Sequence, residues 1–333
     1  MENPNMSAPQ MNPMIMMQQM MQMMGGMQQM DPVSTPFAVQ QQQEDDDQGL
    51  DSGILQPYLL DDLLKEQKAI QFGNVLDYLC LTSDGEKALG GLPMGCTIAI
   101  AGPPGKGKTR STIAGMCRVA ASGMKVAYVV AEEGFYNTSE AGRDDLCSRM
   151  VKIGMQATNI NDLEEFKENV LKNIYVLESQ YHKGQSWDDF VSKYRYLIEK
   201  ADIKFVVVDS LNMLDPSRTR TADNLSALKT YNHEKGITCV CVGQIKDTGD
   251  PVGGEALQHT ADAVFLIEEM GLTSKDVAAQ WGGNFRDRIE VIRAVKSVTT
   301  PIFPHPIRIA KNTAGEMIVH ADQPKEFAVR GIQ

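Results

Sequence analysis

The segment Gly102-Pro103-Pro104-Gly105-Lys106-Gly107-Lys108-Thr109 fits G-x-x-x-x-G-K-[ST], the pattern of a phosphate-binding loop. Glycines there let successive backbone N–H groups face an anion that side chains would fend off. The loop follows the apolar run 96–101 and opens a helical pattern over 108–122, so a helix N-terminus adds its dipole to the same anion. Lys108 is placed to reach the β- and γ-phosphates of a nucleotide, and the Thr109 hydroxyl to ligate Mg2+. Arg110, next in the chain, completes the candidate nucleotide contacts of the loop. Two carboxylate positions extend this chemistry. Residues 205–208 are apolar and end in Asp209, a strand-terminal acid suited to holding the water shell of Mg2+. Residues 126–131 lead into Glu132 and Glu133, and a glutamate at that strand end can polarise water for attack on a γ-phosphate. The N-K-x-D motif that reads guanine in GTPases is absent, which favours ATP over GTP.

The elements that must position these residues alternate. Short β-rich apolar runs at 96–101, 126–131, 174–177, 205–209 and 238–242 are separated by amphipathic stretches at 108–122, 140–154, 162–173, 186–200 and 222–236. Strands alternating with helices of that length predict βαβ units, and hence an α/β fold with a mainly parallel central sheet flanked by helices. The later runs, 263–267, 289–294, 307–310 and 316–319, have no clear helix between them and predict hairpins, a C-terminal antiparallel extension. Residues 270–288 read as an inserted hairpin tip or flexible lobe.

The 333 residues carry a net charge of −11, but that charge is not spread evenly. Residues 1–66 hold ten acids against Lys65 alone, a charge of −9, and the remainder holds 33 acids and 31 bases, a charge of −2. The acidity therefore belongs to a tail, and the body is nearly neutral. Twelve of the chain's 20 methionines fall in the first 30 residues, interleaved with glutamine, which predicts disorder over 1–54. Methionines at helical spacing there also form a soft apolar stripe that could dock on a protein partner through residues 1–50. A helical lead-in over 55–87, an ATPase core over 88–322 and a C-terminal tail over 323–333 complete the expected organisation. Six cysteines without a C-x-x-C pair argue against a zinc ribbon and for reduced thiols, so a cytoplasmic location is expected. No run of about 18 apolar residues is present to span a membrane.

Taken in order, these motifs resemble the RecA-like recombinase ATPases, and within them the RadA branch. Gly90-Gly-Leu-Pro-Met-Gly95 resembles the RadA lead-in G-G-[IL]-P-x-G, and Tyr128-Val-Val-Ala-Glu-Glu133 with Arg143 beyond it is similar to the family's Y-V-x-x-E-E…R pattern. Val208-Asp-Ser-Leu-Asn212 resembles its Walker B stretch, and Val242-Gly-Gln-Ile-Lys-Asp247 the next strand end. Gly253-Gly-Glu-Ala-Leu-Gln-His-Thr-Ala-Asp262 resembles both G-G-x-A-L of RecA and L-E-H-x-x-D of RadA. The resemblance covers about residues 88–320. It implies Glu132 as the water-activating base, Arg143 near the adenine, and Gln244 as a sensor of the γ-phosphate. It also implies a ring or filament in which a neighbour's cation completes each site. Ile292-Arg-Ala-Val-Lys-Ser-Val298 occupies the matching stretch: Lys296 matches the first basic position, and Val298 stands at the second. Lys311-Asn-Thr-Ala-Gly315 falls one strand too late for that role and reads as a hairpin turn.

In the same family two loops carry single-stranded DNA. Here they contain Arg218 and Arg220 after the Walker B strand, and Lys246 after the sensor strand. With a near-neutral body, DNA contact would rest on these few cations. The leading expectation is an oligomeric, DNA-dependent ATPase of homologous recombination or repair using ATP and Mg2+. A resemblance to KaiC and archaeal motor ATPases implies instead a regulatory or assembly ATPase acting on proteins, and a helicase is a third reading.

Overall fold

The computed structural model describes residues 56–59, 63–137, 142, 144–180, 184–214, 221–244, 259–325, 328 and 331. Two compact units divide the chain, residues 1–64 and residues 65–333. The first contributes a 3-10 turn, Pro57–Leu59; the tail and its methionine stripe lie outside the described residues. The second unit holds all the motifs.

Its lead-in is not α-helical. Between Lys65 and Lys87 the described residues form a two-residue strand, β1 (Ala69–Ile70), and a 3-10 turn, Val75–Tyr78, started by the Asn74 side chain accepting from Leu76 N–H. Phe72, Val75, Leu76 and Leu79 are fully buried, so this stretch is core packing held by 3-10 rather than α-helical hydrogen bonds. β1 pairs antiparallel with β2 (Leu92–Pro93).

The main sheet contains β3 (Thr97–Gly102), β4 (Val126–Val130), β5 (Ile174–Glu178), β6 (Phe205–Asp209), β7 (Thr238–Gln244), β8 (Ala263–Gly271), β9 (Arg288–Ser297), β10 (Ile307–Lys311) and β11 (Met317–Val319). Their order is β11-β10-β9-β8-β3-β7-β6-β4-β5. The six strands from β8 to β5 run parallel, and β9, β10 and β11 add on as antiparallel ribbons. The expected α/β architecture and its antiparallel extension are therefore present.

Alternation along the parallel strands explains the two layers. Val126, Tyr128, Val130, Phe205 and Val207 face one core with Ile113 and Met116 of α1 (Lys108–Ala121) and Met150 and Ile153 of α2 (Leu146–Thr158). Ala127, Val129, Val206 and Val208 face the other, with Phe190, Tyr194 and Ile198 of α4 (Trp187–Ala201) and Leu225 and Leu228 of α5 (Thr221–Lys235). Strands covered on both faces read as unbroken apolar runs, as these do. Between α2 and β5 lies α3 (Leu163–Asn169), capped by Asp162.

Two elements depart from expectation. α2 begins at Leu146 rather than near residue 140, because the Asp145 side chain accepts from Ser148 N–H and sets the N-terminus there. The β8–β9 connection carries a short helix, α6 (Lys275–Gln280), capped by Ser274. Leu272, Ala278, Trp281, Ile289 and Val291 give that lobe a small core of its own.

Candidate active site

The carboxyl ends of β3, β4, β6 and β7 converge on one cavity of ≈ 390 Å3. The phosphate-binding loop forms its floor: Pro104 to Arg110 line it, with Glu132 and Glu133 from the end of β4, Asp209 and Ser210 from the end of β6, and Gln244 from the end of β7. β7 lies between β3 and β6, and its register sets Gln244 against Gly102. Gln244 thus stands at the loop's root, between the loop and Asp209. Gly107 turns the chain into α1 with φ 96°, a left-handed conformation that glycine adopts freely. The approach is close as well: a Cβ on Gly107 would lie 3.0 Å from the Gly315 carbonyl oxygen.

Electrostatics inside the cavity are strong. The Lys108 ammonium is buried and donates to the carbonyls of Gly102 and Pro103, each at 2.7 Å. Burial holds its pKa below the usual lysine range, opposed by the charges of Asp209 and Glu132. Burial pushes Asp209 up to about 6, and the neighbouring Glu132 charge adds to the rise, while hydrogen bonds from Thr109 and Tyr128 and the Lys108 charge pull it down. Glu132 is exposed to the cavity, whereas Glu133 is tied by the guanidinium of Arg149.

The oxygen groups present suit Mg2+. Thr109 donates its hydroxyl to Asp209, and the Ser210 hydroxyl beside them is buried with no hydrogen-bond partner. Among the described residues no group of three or more His, Cys, Asp or Glu side chains gathers to cage an ion. One carboxylate with a hydroxyl, completed by substrate phosphates and waters, is how proteins commonly hold this hard cation.

The structure brings together Gly105, Lys106, Gly107, Lys108, Thr109, Arg110, Glu132, Asp209 and Gln244, with Gly102 and Pro103 beneath them. Arg143, Arg218, Arg220 and Lys246 lie outside the described residues. Lys296 is not brought to this cavity. It sits opposite Val264 at the start of β8, the far end of the sheet from the loop, and donates to the His259 carbonyl at 2.7 Å.

Two cations were not read as site residues. Arg149 lines the cavity from α2 beside Leu146 and Ile153, with Ile113 of α1 completing an apolar wall. Leu146, Arg149 and Ile153 recur at helical spacing behind the Asp145 cap, a signal that could have placed Arg149 there. Lys311 also lines the cavity, with its ammonium 3.3 Å from the Gly105 carbonyl oxygen. Its turn lies against the loop, where Arg110 donates to the Ala314 carbonyl at 2.8 Å.

Residues 57–315 match the family model described as "ATPase: KaiC". The chain belongs to the KaiC ATPase family. Curated relatives of this KaiC-family chain include DNA repair protein RadA of Chlamydia trachomatis serovar D, 24% identical over 209 residues, which are 62% of this chain and 38% of that protein. DNA repair protein RadA of Escherichia coli (strain K12) is 21% identical over 187 residues, 54% of this chain and 34% of that protein. The chain thus spans little more than a third of the length of the curated relatives it matches. Among solved structures, a KaiC-like protein of Pyrococcus horikoshii OT3 superposes with a TM-score of 0.52 at 16% identity, covering 77% of this chain and 99% of that one. At that identity the likeness is one of fold. Among the described residues no helix is long and apolar enough to cross a membrane.

Proposed function

We propose that this KaiC-family chain binds ATP with Mg2+ in the ≈ 390 Å3 cavity and hydrolyses it, Glu132 serving as the base. The observation that carries this reading is the split between the two adjacent glutamates. Glu133 is held by Arg149, whereas Glu132 faces the cavity near Lys108 and Asp209. The loop's N–H groups and the Lys108 ammonium hold the β- and γ-phosphates. Thr109 and Asp209 hold Mg2+, which supplies charge neutralisation at those phosphates. Glu132 accepts the proton of the attacking water, and Gln244 hydrogen-bonds near the γ-phosphate and passes its presence to the segment that follows β7. Arg149, on the wall of Ile113, Leu146 and Ile153, stacks on the nucleoside base, the role expected of Arg143.

Lys108→Ala abolishes nucleotide binding on this reading. Glu132→Gln keeps binding and lowers turnover by about 10²- to 10⁴-fold, the usual contribution of a general base. Normal turnover in Glu132→Gln would move the base elsewhere.

The likeness to DNA repair proteins named RadA supports single-stranded DNA as the ligand, through Arg218, Arg220 and Lys246, with subunits in a ring or filament. Lys296 then serves a neighbour's site, since it stands away from its own. The match to the KaiC family model supports a second reading, an ATPase acting on protein partners. Turnover measured with and without single-stranded DNA at low salt separates them. Unchanged turnover together with no mobility shift sinks the DNA reading and leaves the ATPase intact.

A further inference from the structure

β8 and β9 set Glu269 and Glu290 directly opposite each other across an antiparallel ladder. Like charges in that relation repel and weaken the strand pair. The repulsion is met from outside the hairpin. The Lys106 ammonium lies 2.6 Å from Glu269 Oε1 and 2.8 Å from Glu290 Oε1. Two other cations stand farther off: Lys311 is 3.5 Å from Glu290, and Arg288 is 3.5 Å from Glu269. Lys106 therefore makes the two short contacts. It is also a residue of the phosphate-binding loop and lines the cavity, whereas neither glutamate is among the lining residues.

The hairpin bearing these glutamates ends in the α6 lobe. Met270 and Ile289, the cross-strand pair next to Glu269 and Glu290, pack into that lobe's core with Trp281, which is 4% exposed. Lys106 thus links the loop where phosphate would sit to the base of a separately packed lobe through its two short contacts, and Lys311 adds a longer one to Glu290 alone. A nucleotide brings several negative charges to within a side chain's length of Lys106. Those charges compete with the glutamates for one ammonium.

We propose that Lys106 is a charge-driven latch between the nucleotide site and the α6 lobe, with Glu269 and Glu290 as its positioning residues. Phosphate in the loop draws the ammonium off the glutamates. Only the two 3.5 Å contacts then remain to offset their repulsion, one of them from Arg288, whose side chain is 78% exposed and screened by water. The base of the lobe loosens, and Trp281 reports it. The inference rests on the nucleotide-binding reading above and adds a destination for the binding signal.

Trp187 and Trp281 are the chain's two tryptophans, so Trp187→Phe leaves Trp281 as the single reporter. ADP and a non-hydrolysable ATP analogue are titrated into that protein with Mg2+, with calorimetry run in parallel. The expected result is a change in Trp281 emission that saturates with the calorimetric affinity. In the Glu269→Gln/Glu290→Gln variant of the same protein nucleotide binds about fivefold tighter, because no ion pair competes for Lys106, and the emission change is lost. Hydrogen exchange on the unmutated chain supplies a second readout: residues 270–289 exchange faster with nucleotide bound. Calorimetric binding with silent Trp281 overturns the latch alone, as does a full response in the glutamine variant or unchanged exchange. Absence of calorimetric binding overturns the nucleotide reading and the latch together.

Discussion

Replacing Arg118 with methionine tests how the turn that lies against the phosphate-binding loop is held. From α1, Arg118 donates through Nη1 and Nη2 to the two carboxylate oxygens of Glu316 at 2.6 and 2.9 Å. It also donates to the Phe72 and Ala157 carbonyls at 2.9 and 3.1 Å. The Glu316 side chain is 1% exposed and accepts from the Asn74 and Asn312 amides at 3.2 and 2.9 Å. Methionine keeps the apolar stem and removes the charge. Removing one partner of a buried pair costs about 3–5 kcal/mol, since the other charge is stranded. Arg118 is 24% exposed and the two amides stay on Glu316, so the low end, about 3 kcal/mol, is expected. Urea denaturation at pH 7 measures it, in a cycle with Glu316→Leu and the double variant. The double variant should recover about 2 kcal/mol of the summed losses, a coupling within the range for contacting residues. Nucleotide affinity should fall as well, because Asn312 and Glu316 shape the turn that abuts Gly107. Additive losses in the cycle, or a single variant within about 1 kcal/mol of the parent, would refute the pair as the anchor.

Three further outcomes are expected. Gly115→Ala places a Cβ 2.3 Å from Cδ1 of the fully buried Phe72, and overpacking of this kind costs about 2 kcal/mol or more, seen as a lower urea midpoint. Burial pushes Asp77 up to about 6, against hydrogen bonds from Phe72 and Gly73 N–H. Since the folded chain holds that proton where the unfolded chain has released it, stability falls as pH rises between about 4 and 6, by about 3 kcal/mol from this group. Asp77→Asn should flatten that slope, and an unchanged slope removes Asp77 from the account. Mixing Lys296→Ala with Glu132→Gln subunits should restore part of the ATP turnover if Lys296 serves a neighbour. Absence of rescue would make it a structural lysine holding the His259 carbonyl.

The parallel strands and their helices were legible because each strand is covered on both faces, and such runs stand out against amphipathic helices. The loop, Asp209 and the Glu132–Glu133 pair were legible for a related reason: each sits at a strand's carboxyl end, a place that local pattern identifies. The choice of Glu132 over Glu133, and of Gln244, came instead from the family resemblance. What was not legible depends on contacts far apart in sequence. Lys311 reads as a turn residue until β10 is seen to fold back beside β9, and Phe72 to Leu79 show apolar content without revealing that tertiary burial replaces the helix. α6 is too short for its periodicity to register. The Lys106–Glu269–Glu290 bridge has no local signature at all.

The wall of the cavity also has a consequence for the order in which the molecule is made. Arg110 and Ala314, joined by a hydrogen bond, are 204 residues apart. At ordinary rates of translation the phosphate-binding loop leaves the ribosome about 10 to 40 s before the strand that completes its surroundings. A nascent chain thus carries the glycine-rich loop long before the turn that packs against it. A truncated product ending before β10 keeps every phosphate-loop residue yet lacks the turn against which the loop is set.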